Sequence, residues 1–231
     1  MTTRTDPRVR LGAGAAALLV TALAVRRDRV GPAEAAAFRA VNELPGRLYP
    51  PAWVVMQLGT LGAAPTAAGV AWLAGDRELA GRLLAGGTSA WALSKVVKRL
   101  ARRPRPASLL PGTRLRGREA TGLGYLSGHA AVAVALGAAA FPRLGTAGRA
   151  ATLGAVPAVG LTRIYVGAHL PLDVAGGAAL GLMINAALRI VGNSRRAARA
   201  EGEGPAIPWD ELTRIFGTFT RGRTSRRTLR T

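Results

Sequence analysis

The feature that most constrains the fold of this chain is a series of long apolar stretches with few or no charged side chains. Residues 52–75 contain no charge at all, and residues 171–191 contain only Asp173 near one end and Arg189 near the other. A helix needs about 20 mostly apolar residues to cross the hydrocarbon core of a bilayer. A surface helix of a soluble domain would instead carry polar residues along one face. The sequence therefore predicts an all-α, polytopic membrane helical bundle.

Six apolar stretches are predicted to span the membrane. They are residues 11–25, 52–75, 79–97, 128–141, 150–161 and 171–191. The first stretch is short and also resembles a signal peptide, but a retained first helix is the preferred interpretation. These spans make a membrane domain over residues 11–192, preceded by a polar N-terminal tail at 1–10. An even number of spans places both termini on the same side of the membrane.

Two further segments have one apolar face each and are predicted to be amphipathic helices. Residues 33–44 fit a helix that lies along the membrane interface, or equally an ordinary surface helix. Beyond residue 192 the chain becomes polar and basic, which predicts a largely disordered C-terminal tail over residues 193–231. Inside this tail, residues 207–219 fit a helix that lies on the membrane surface or docks on a partner.

The strong positive charge of the chain indicates anionic partners. The formal net charge is +20, and all but two of the 32 basic residues are arginines. Nucleic acid is one such partner, but a nucleic-acid-binding domain has no use for long uncharged stretches. We therefore predict a phosphorylated lipid substrate, with anionic lipid headgroups bound by the basic loops and tail, and no nucleic acid. The chain has no cysteine, so it forms neither a disulfide nor a thiolate metal site.

Three short motifs carry the residues best suited to chemistry, and both histidines of the chain lie in them. In chain order the motifs are Lys98 with Arg105 and Pro106, then Leu126-Ser127-Gly128-His129, then Thr162-Arg163 with His169 and Asp173. Each motif alone is common in unrelated proteins, where it begins or ends a helix. With six spans, however, all three motifs lie at the same end of the bundle, which predicts a single site.

Phosphate chemistry accounts for the basic residues of this site. Guanidinium and ammonium groups stabilise the charge of phosphate oxygens, and arginine binds them in bidentate fashion. Lys98, Arg105 and Arg163 could form such a cradle. The pair Ser127-Gly128 at a helix start adds backbone N–H groups and a helix dipole that attract an anion.

The two histidines fit distinct roles in phosphate transfer. His169 and Asp173 are four residues apart at the start of a helix, so they can face each other. A carboxylate bonded to one ring nitrogen leaves the other nitrogen free to attack. His129 would then protonate the departing oxygen as a general acid. Because no cluster of carboxylates or cysteines is available to bind a metal ion, we predict no cofactor.

Together the motifs resemble those of the type 2 phosphatidic acid phosphatase superfamily, which are Lys-x6-Arg-Pro, Pro-Ser-Gly-His and Ser-Arg-x5-His-x3-Asp. The resemblance covers about residues 33–192. It implies a metal-independent membrane phosphatase that hydrolyses a lipid phosphate or a polyprenyl diphosphate through a phosphohistidine. The residue roles that it implies are a nucleophile, a general acid, an orienting carboxylate and a phosphate-binding set: His169, His129, Asp173, and Lys98, Arg105, Ser127, Gly128 and Arg163.

Two positions depart from the family motifs. Leu126 replaces a proline and is expected to loosen the loop before Ser127, whereas Thr162 replaces a serine and keeps the hydroxyl group. Two alternative functions stay open, the first because some enzymes of similar motif transfer phosphate and the second because of Leu126 and the basic tail. The chain could pass phosphate to an acceptor other than water, or it could be a catalytically silent protein that binds lipids.

The sequence also predicts where the protein is located. It is expected to be a multi-pass protein of the cell membrane. A small excess of basic residues on the side of the two termini favours cytoplasmic termini, because basic loops stay on the cytoplasmic side. The active site is therefore expected on the extracytoplasmic face.

Overall fold

The computed structural model of the chain describes residues 6–25 and 29–200. Within these residues the chain forms α-helices and short 3₁₀ turns, and no β-strand. The α-helices are α1 (Pro7–Ala24), α2 (Pro32–Asn42), α3 (Tyr49–Met56), α4 (Ala63–Leu73), α5 (Arg77–Ala101), α6 (Pro106–Leu109), α7 (Gly128–Ala140), α8 (Thr146–Tyr165) and α9 (Pro171–Ala200). The predicted all-α class is confirmed. The site described below lies within a compact unit that ends at Ile190.

Side-chain caps explain where several helices begin. Asp6 accepts a hydrogen bond from the backbone N–H of Arg8 at 2.8 Å, and Pro7 takes the first helical position of α1. Asp76 caps α5 in the same way by accepting from the N–H of Leu79 at 2.9 Å. Such caps satisfy N–H groups that a helix leaves unpaired at its start. Helix α1 therefore includes part of the segment that was predicted to be a polar tail.

The prediction of one continuous helix over residues 52–75 is wrong. Helices α3 and α4 are separated by a 3₁₀ turn at Gln57–Gly59, and their axes differ by 69°. The physical reason lies at Gly59, where a Cβ atom would stand 2.6 Å from the carbonyl oxygen of His129. The chain bends so that a residue without a side chain can pass close to the start of α7. Apolar composition alone does not report such a break.

In the described part of the chain, fewer helices are long and apolar enough to cross a membrane than the six that were predicted. Among the described residues, Pro7–Ala24 and Pro171–Ala198 are each long and apolar enough to cross a membrane, and the bent pair of α3 and α4 could supply a third span. Helix α7, at 13 residues, is about 20 Å long and so falls short of the bilayer core. The predicted count of six is therefore not confirmed.

The helices approach each other closely through small side chains, as expected for a membrane bundle. A Cβ atom on Gly181 of α9 would lie 2.5 Å from the carbonyl oxygen of Ala131 in α7, and one on Gly177 would overlap the carbonyl oxygen of Ser127. Alanines make up half of the main buried core. Glycine and alanine are therefore structural requirements where α9 packs on α7.

Replacing Gly177 by alanine is expected to lower the stability of the protein by about 1–3 kcal/mol, the usual cost of overpacking a core. The added methyl group meets backbone at Ser127, which cannot move aside as a flexible side chain would. The matched control is Gly154→Ala in α8, where nothing lies within 4 Å of the added atom. Thermal unfolding in detergent should show a lower Tm for Gly177→Ala only; equal Tm values would contradict the close packing.

Helix α2 packs on the protein through its apolar face. Phe38 is 1% exposed and lies in a cluster with Leu110, Ile164 and Leu170. At the end of the helix, the side-chain amide of Asn42 donates to the carbonyl oxygens of neighbouring segments. Of the two interpretations of residues 33–44, this packing favours an ordinary surface helix. Its first turn is consequently held in a defined position beside the functional site.

The C-terminal helix is longer than the predicted span. Helix α9 continues past Gly192 to Ala200, so residues 193–200 of the predicted tail are helical. The rest of that tail, including the amphipathic segment 207–219, lies outside the described residues.

Candidate active site

The structure brings the three motifs together where α5 and α8 end and where α7 and α9 begin. Lys98 lies within electrostatic range of Arg105, Arg163 and Asp173. His129 lies within range of the same three cations. The convergence expected from the sequence is therefore present, although the span count on which that expectation rested is not confirmed.

His169 and Asp173 face each other, as their spacing predicted. His169 is 3% exposed, and its Nδ1 atom lies 3.5 Å from Oδ2 of Asp173. The same Oδ2 atom accepts a hydrogen bond from the backbone N–H of Leu170 at 2.8 Å. At this distance Nδ1 and Oδ2 face each other without a well-formed hydrogen bond. This orientation leaves Nε2 of His169 as the nitrogen that can attack.

Burial keeps the imidazole of His169 neutral. Burial is the largest effect on this residue, and it lowers the pKa of His169 to about 3 although Asp173 acts in the opposite direction. A neutral ring has a free lone pair at every pH above that value, whereas an ordinary histidine begins to protonate near pH 6.5. Because the unfolded chain takes up that proton first, this histidine reduces stability as the pH falls from about 6.5 towards 3. Burial of His169 thus keeps the ring neutral at the expense of stability in acid.

The Ser127-Gly128-His129 segment forms the start of α7. Ser127 is fully buried, and its hydroxyl oxygen accepts from the N–H of Ala130 at 3.4 Å, which makes it the N-cap. Its own N–H donates to the carbonyl oxygen of Asp173 at 2.8 Å, so the second and third motifs are tied together. A Cβ atom on Gly128 would lie 2.9 Å from the hydroxyl oxygen of Ser94 in α5. The glycine is therefore required for helix packing as well.

The loop before Ser127 is anchored by packing instead of by a proline. Leu126 and Tyr125 are both 0% exposed and belong to the main core. The hydroxyl groups of Tyr125 and Thr21 in α1 share a hydrogen bond of 2.8 Å. The other departure from the motifs, Thr162, directs its hydroxyl to the carbonyl oxygen of Val159 within its own helix. Leu126 and Thr162 are thus both buried and packed in the structure.

Two of the predicted phosphate-binding cations have a second role that the sequence did not indicate. The ammonium group of Lys98 donates to the carbonyl oxygens of Leu123 and Gly124, at 3.1 and 2.8 Å. Arg105 donates to the carbonyl oxygens of Thr121, Gly122 and Ala168. Burial lowers the pKa of Arg105, but an arginine remains charged at neutral pH. Both cations thus hold the loop that leads to Ser127.

Arg163 has hydrogen-bonding capacity that the described part of the chain does not use. Its Nε atom is buried and has no hydrogen-bond partner there, and its Nη1 atom meets only the sulfur of Met56, a weak acceptor, at 3.2 Å. Next to it is a cavity of about 230 Å³ lined in part by Tyr49, Trp53 and Glu119. A buried guanidinium group with unused donors beside a cavity suits an anionic ligand.

A buried ion-pair network behind Asp173 was not predicted from the sequence. Arg103 is 0% exposed and donates to Oδ1 of Asp173 at 2.8 Å. It also binds both carboxylate oxygens of Glu34 in α2, at 3.1 and 2.7 Å. Burial by itself lowers the pKa of Arg103, but the hydrogen bonds and charges of Glu34 and Asp173 raise it more. The resulting chain of contacts runs from Glu34 through Arg103 and Asp173 to His169.

Little in the sequence could have revealed this network. Glu34 fits the helix start of α2 as an acid that favours the positive end of the helix dipole. Arg103 is one of four arginines in the basic segment 98–105, and nothing in the sequence singles it out for burial. The one available signal was the alternation of arginine and proline at 103–106, which favours an extended segment rather than a helix. The partner of Arg103 is about 70 residues away in the sequence.

The site thus combines a neutral buried imidazole, a paired carboxylate, a second histidine and three cations. Among the described residues, no group of three His, Cys, Asp or Glu side chains is placed to hold a metal ion. Such an arrangement can bind an anion of high charge density and transfer a group to a histidine nitrogen.

Comparison with known proteins gives consistent matches. The model of a family described as the PAP2 superfamily matches residues 79–196. Decaprenylphosphoryl-5-phosphoribose phosphatase from two strains of Mycobacterium tuberculosis is 35% identical over 119 residues, which make up 50% of this chain and 62% of the relative. The match thus spans less than two thirds of the length of these curated relatives.

Two solved structures have the same fold. One is the transmembrane PAP2 type phosphatidylglycerolphosphate phosphatase from Bacillus subtilis, with a TM-score of 0.64 and 19% identity over 80% of this chain and 96% of that one. The other is LpxE from Aquifex aeolicus, with a TM-score of 0.60 and 23% identity over 67% of this chain and 93% of that one. Together with its apolar helices, this fold makes the protein a helical membrane protein.

Proposed function

This chain belongs to the PAP2 superfamily, and from that premise we propose that it hydrolyses a lipid phosphate or a polyprenyl diphosphate without a metal ion, through a phosphohistidine. The observation that carries the proposal is the neutral, buried His169 whose Nδ1 side faces Asp173. A histidine held in this way has one nitrogen oriented and the other available for attack. The phosphohistidine step and the independence from metal go beyond what family membership establishes.

In the first step, Nε2 of His169 forms a bond to phosphorus while the bond from phosphorus to the lipid oxygen breaks. His129 takes up a proton together with the anionic substrate and donates it to that oxygen, so the lipid leaves as a neutral alcohol, or as a monophosphate if the substrate is a diphosphate. The imidazole of His169 gains positive charge as it attacks. The negative charge of Asp173 next to Nδ1 stabilises it.

In the second step, a water molecule attacks the phosphorus atom of the phosphohistidine. His129, now neutral, takes a proton from this water, and the bond between phosphorus and Nε2 breaks. Inorganic phosphate leaves, and His129 and His169 return to their starting states. Throughout both steps, Lys98, Arg105 and Arg163 and the N–H groups at the start of α7 offset the charge of the phosphate oxygens.

An apolar groove beside the site supports a lipid substrate, and the polar cavity next to Arg163 supports a polar headgroup. A mainly apolar groove of about 780 Å³, lined by α4, α5, α7 and α8, includes Leu58 and Thr60 on either side of Gly59, next to His129. Such a groove has room for part of a hydrocarbon chain. Anionic headgroups of surrounding lipids would bind to the exposed arginines of the basic loops. We place the site on the extracytoplasmic face of the cell membrane.

A second candidate substrate is a polyprenyl chain that carries a phosphorylated sugar, the kind of molecule named for the Mycobacterium tuberculosis relatives. The polar cavity beside Arg163 favours it, because Tyr49 and Trp53 offer aromatic faces and Glu119 offers a hydrogen-bond acceptor for hydroxyl groups. A panel of lipid phosphates with and without a sugar separates this candidate from simpler lipids.

The purified protein in detergent is expected to release inorganic phosphate from a lipid phosphate at the same rate with and without a chelator such as EDTA. The physical reason is that charge on the phosphate is offset by fixed side chains, which a chelator does not remove. Loss of activity with EDTA and recovery with added metal would contradict the metal-independent mechanism. Transfer of phosphate to an added alcohol would favour the phosphotransferase alternative. Binding of the lipid phosphate without release of phosphate would favour a catalytically silent lipid-binding protein.

A further inference from the structure

We propose that Glu34 and Arg103 are positioning residues that set the orientation and the effective charge of Asp173, and thereby the reactivity of His169. The inference rests on the proposed function and extends it to helix α2. Glu34 lies outside residues 79–196, the part of the chain that matches the family model. The proposal therefore assigns a role in the reaction to a segment that the family match does not include.

The two oxygen atoms of Asp173 have separate partners. Oδ2 faces Nδ1 of His169 and accepts from the N–H of Leu170, while Oδ1 accepts from Nη1 of Arg103 at 2.8 Å. A carboxylate held at both oxygens has little freedom to rotate, so Oδ2 stays directed at the imidazole. Orientation of this kind depends on the partner that holds the far oxygen.

Glu34 holds Arg103 in turn. Its carboxylate binds Arg103 in bidentate fashion and also accepts from the backbone N–H of Leu172, in the first turn of α9, at 3.0 Å. Phe38, one turn further along α2, fixes the helix against the protein. Helix α2 and the first turn of α9 are thereby linked through Glu34, on the side of Asp173 away from His169.

The charge of this network matters as much as its geometry. Asp173 and the side chain of Arg103 are 0% exposed and that of Glu34 is 8% exposed, so water screens these charges weakly. Arg103 alone would offset the negative charge of Asp173. Because Glu34 offsets Arg103, the three groups together keep one negative charge. That charge is available to stabilise the positive imidazole of His169 during attack.

The experiment compares Glu34→Gln with the double variant Glu34→Gln, Arg103→Gln. The single variant keeps a buried Arg103 whose charge is no longer offset, so kcat should fall about 10- to 100-fold, the loss seen when the outer partners of metal-binding histidines are removed. KM should stay nearly unchanged, because the side chains of Glu34 and Arg103 bond to each other, to Asp173 and to Leu172, and not to the phosphate-binding cations. The double variant removes the extra positive charge, so its kcat should exceed that of the single variant.

A higher kcat in the double variant than in the single variant distinguishes an electrostatic role of Glu34 from a role in packing. If Glu34 served packing only, removal of Arg103 as well would lower activity further or leave it unchanged. Glu43→Gln is the matched control, since Glu43 is an exposed acid at the end of the same helix, and wild-type kcat is expected. Glu34→Asp keeps the charge and should retain more activity than Glu34→Gln.

Three results would overturn the inference: wild-type kcat in Glu34→Gln, a double variant no more active than the single one, or a parallel rise in KM. Unfolding of each variant is measured alongside, so that kcat refers to folded protein. If Glu34→Gln does not fold, the comparison of Glu34→Asp with the double variant decides, and equal kcat values contradict the proposal. A wild-type protein that releases no phosphate refutes the proposed function and this inference together, whereas an active wild type with unchanged variants refutes this inference alone.

Discussion

The His169→Ala variant is expected to release phosphate from a lipid phosphate at least about 10³-fold more slowly than the wild-type protein, the scale of loss when a nucleophile is removed. His169 is the residue whose Nε2 atom is proposed to bond to phosphorus, and no neighbouring side chain presents an imidazole in the same place. Initial rates of phosphate release at saturating substrate measure the effect. A phosphorus label from the substrate should be found on the wild-type protein and not on the variant.

The control for this prediction is Thr162→Ser. The hydroxyl of Thr162 is buried and bonds within α8, so the change removes one methyl group and leaves the site intact. It should keep the wild-type rate and the wild-type label. A folded His169→Ala protein that kept most of its activity would assign the nucleophile to another residue and would contradict the mechanism.

The Arg103→Ala variant is expected to lose about 3–5 kcal/mol of folding stability, the cost of removing one partner from a buried ion pair. Its removal leaves the carboxylates of Asp173 and Glu34 buried and without their shared partner. Chemical unfolding in detergent, followed by a spectroscopic signal of the helices, measures the loss. This variant tests the network through stability and needs no substrate.

The matched control is Arg143→Ala. Arg143 also pairs with two carboxylates, those of Asp76 and Glu78, at 3.2 and 3.0 Å, but its side chain is 45% exposed. Because water already solvates these charges, removal of Arg143 should cost about 0–1 kcal/mol. Equal losses of folding stability in Arg103→Ala and Arg143→Ala would mean that burial of Arg103 does not strengthen its ion pairs.

Much of the fold and of the candidate site follows from the sequence. Uncharged stretches predict helices in a membrane, because a charge in hydrocarbon is costly and its absence over many residues is informative. The spacing of His169 and Asp173 predicts that they face each other, since residues four apart are neighbours on a helix. Ser127-Gly128 predicts a helix start for the same local reason. Each of these is a property of a short segment.

The break between α3 and α4 could not be predicted in this way. Residues 52–75 read as one helix because they carry no charge, whereas the bend occurs where Gly59 meets the backbone of α7. The contact joins Gly59 to His129, about 70 positions away, and the local pattern of apolar residues does not depend on it. The predicted count of six spans is not confirmed, and it assumed one straight span for every apolar stretch.

The sequence by itself determined the helical class, the family motifs and the likeness of the site to a phosphate-binding one, because these depend on composition and on short spacings. Only the tertiary structure decided which cations are buried and what they hold. Arg102 and Arg103 are adjacent and chemically identical, yet Arg102 is exposed and Arg103 has no exposed surface. The difference arises because α2 packs beside the start of α9 and brings Glu34 to Arg103, a pairing between segments that no local pattern encodes.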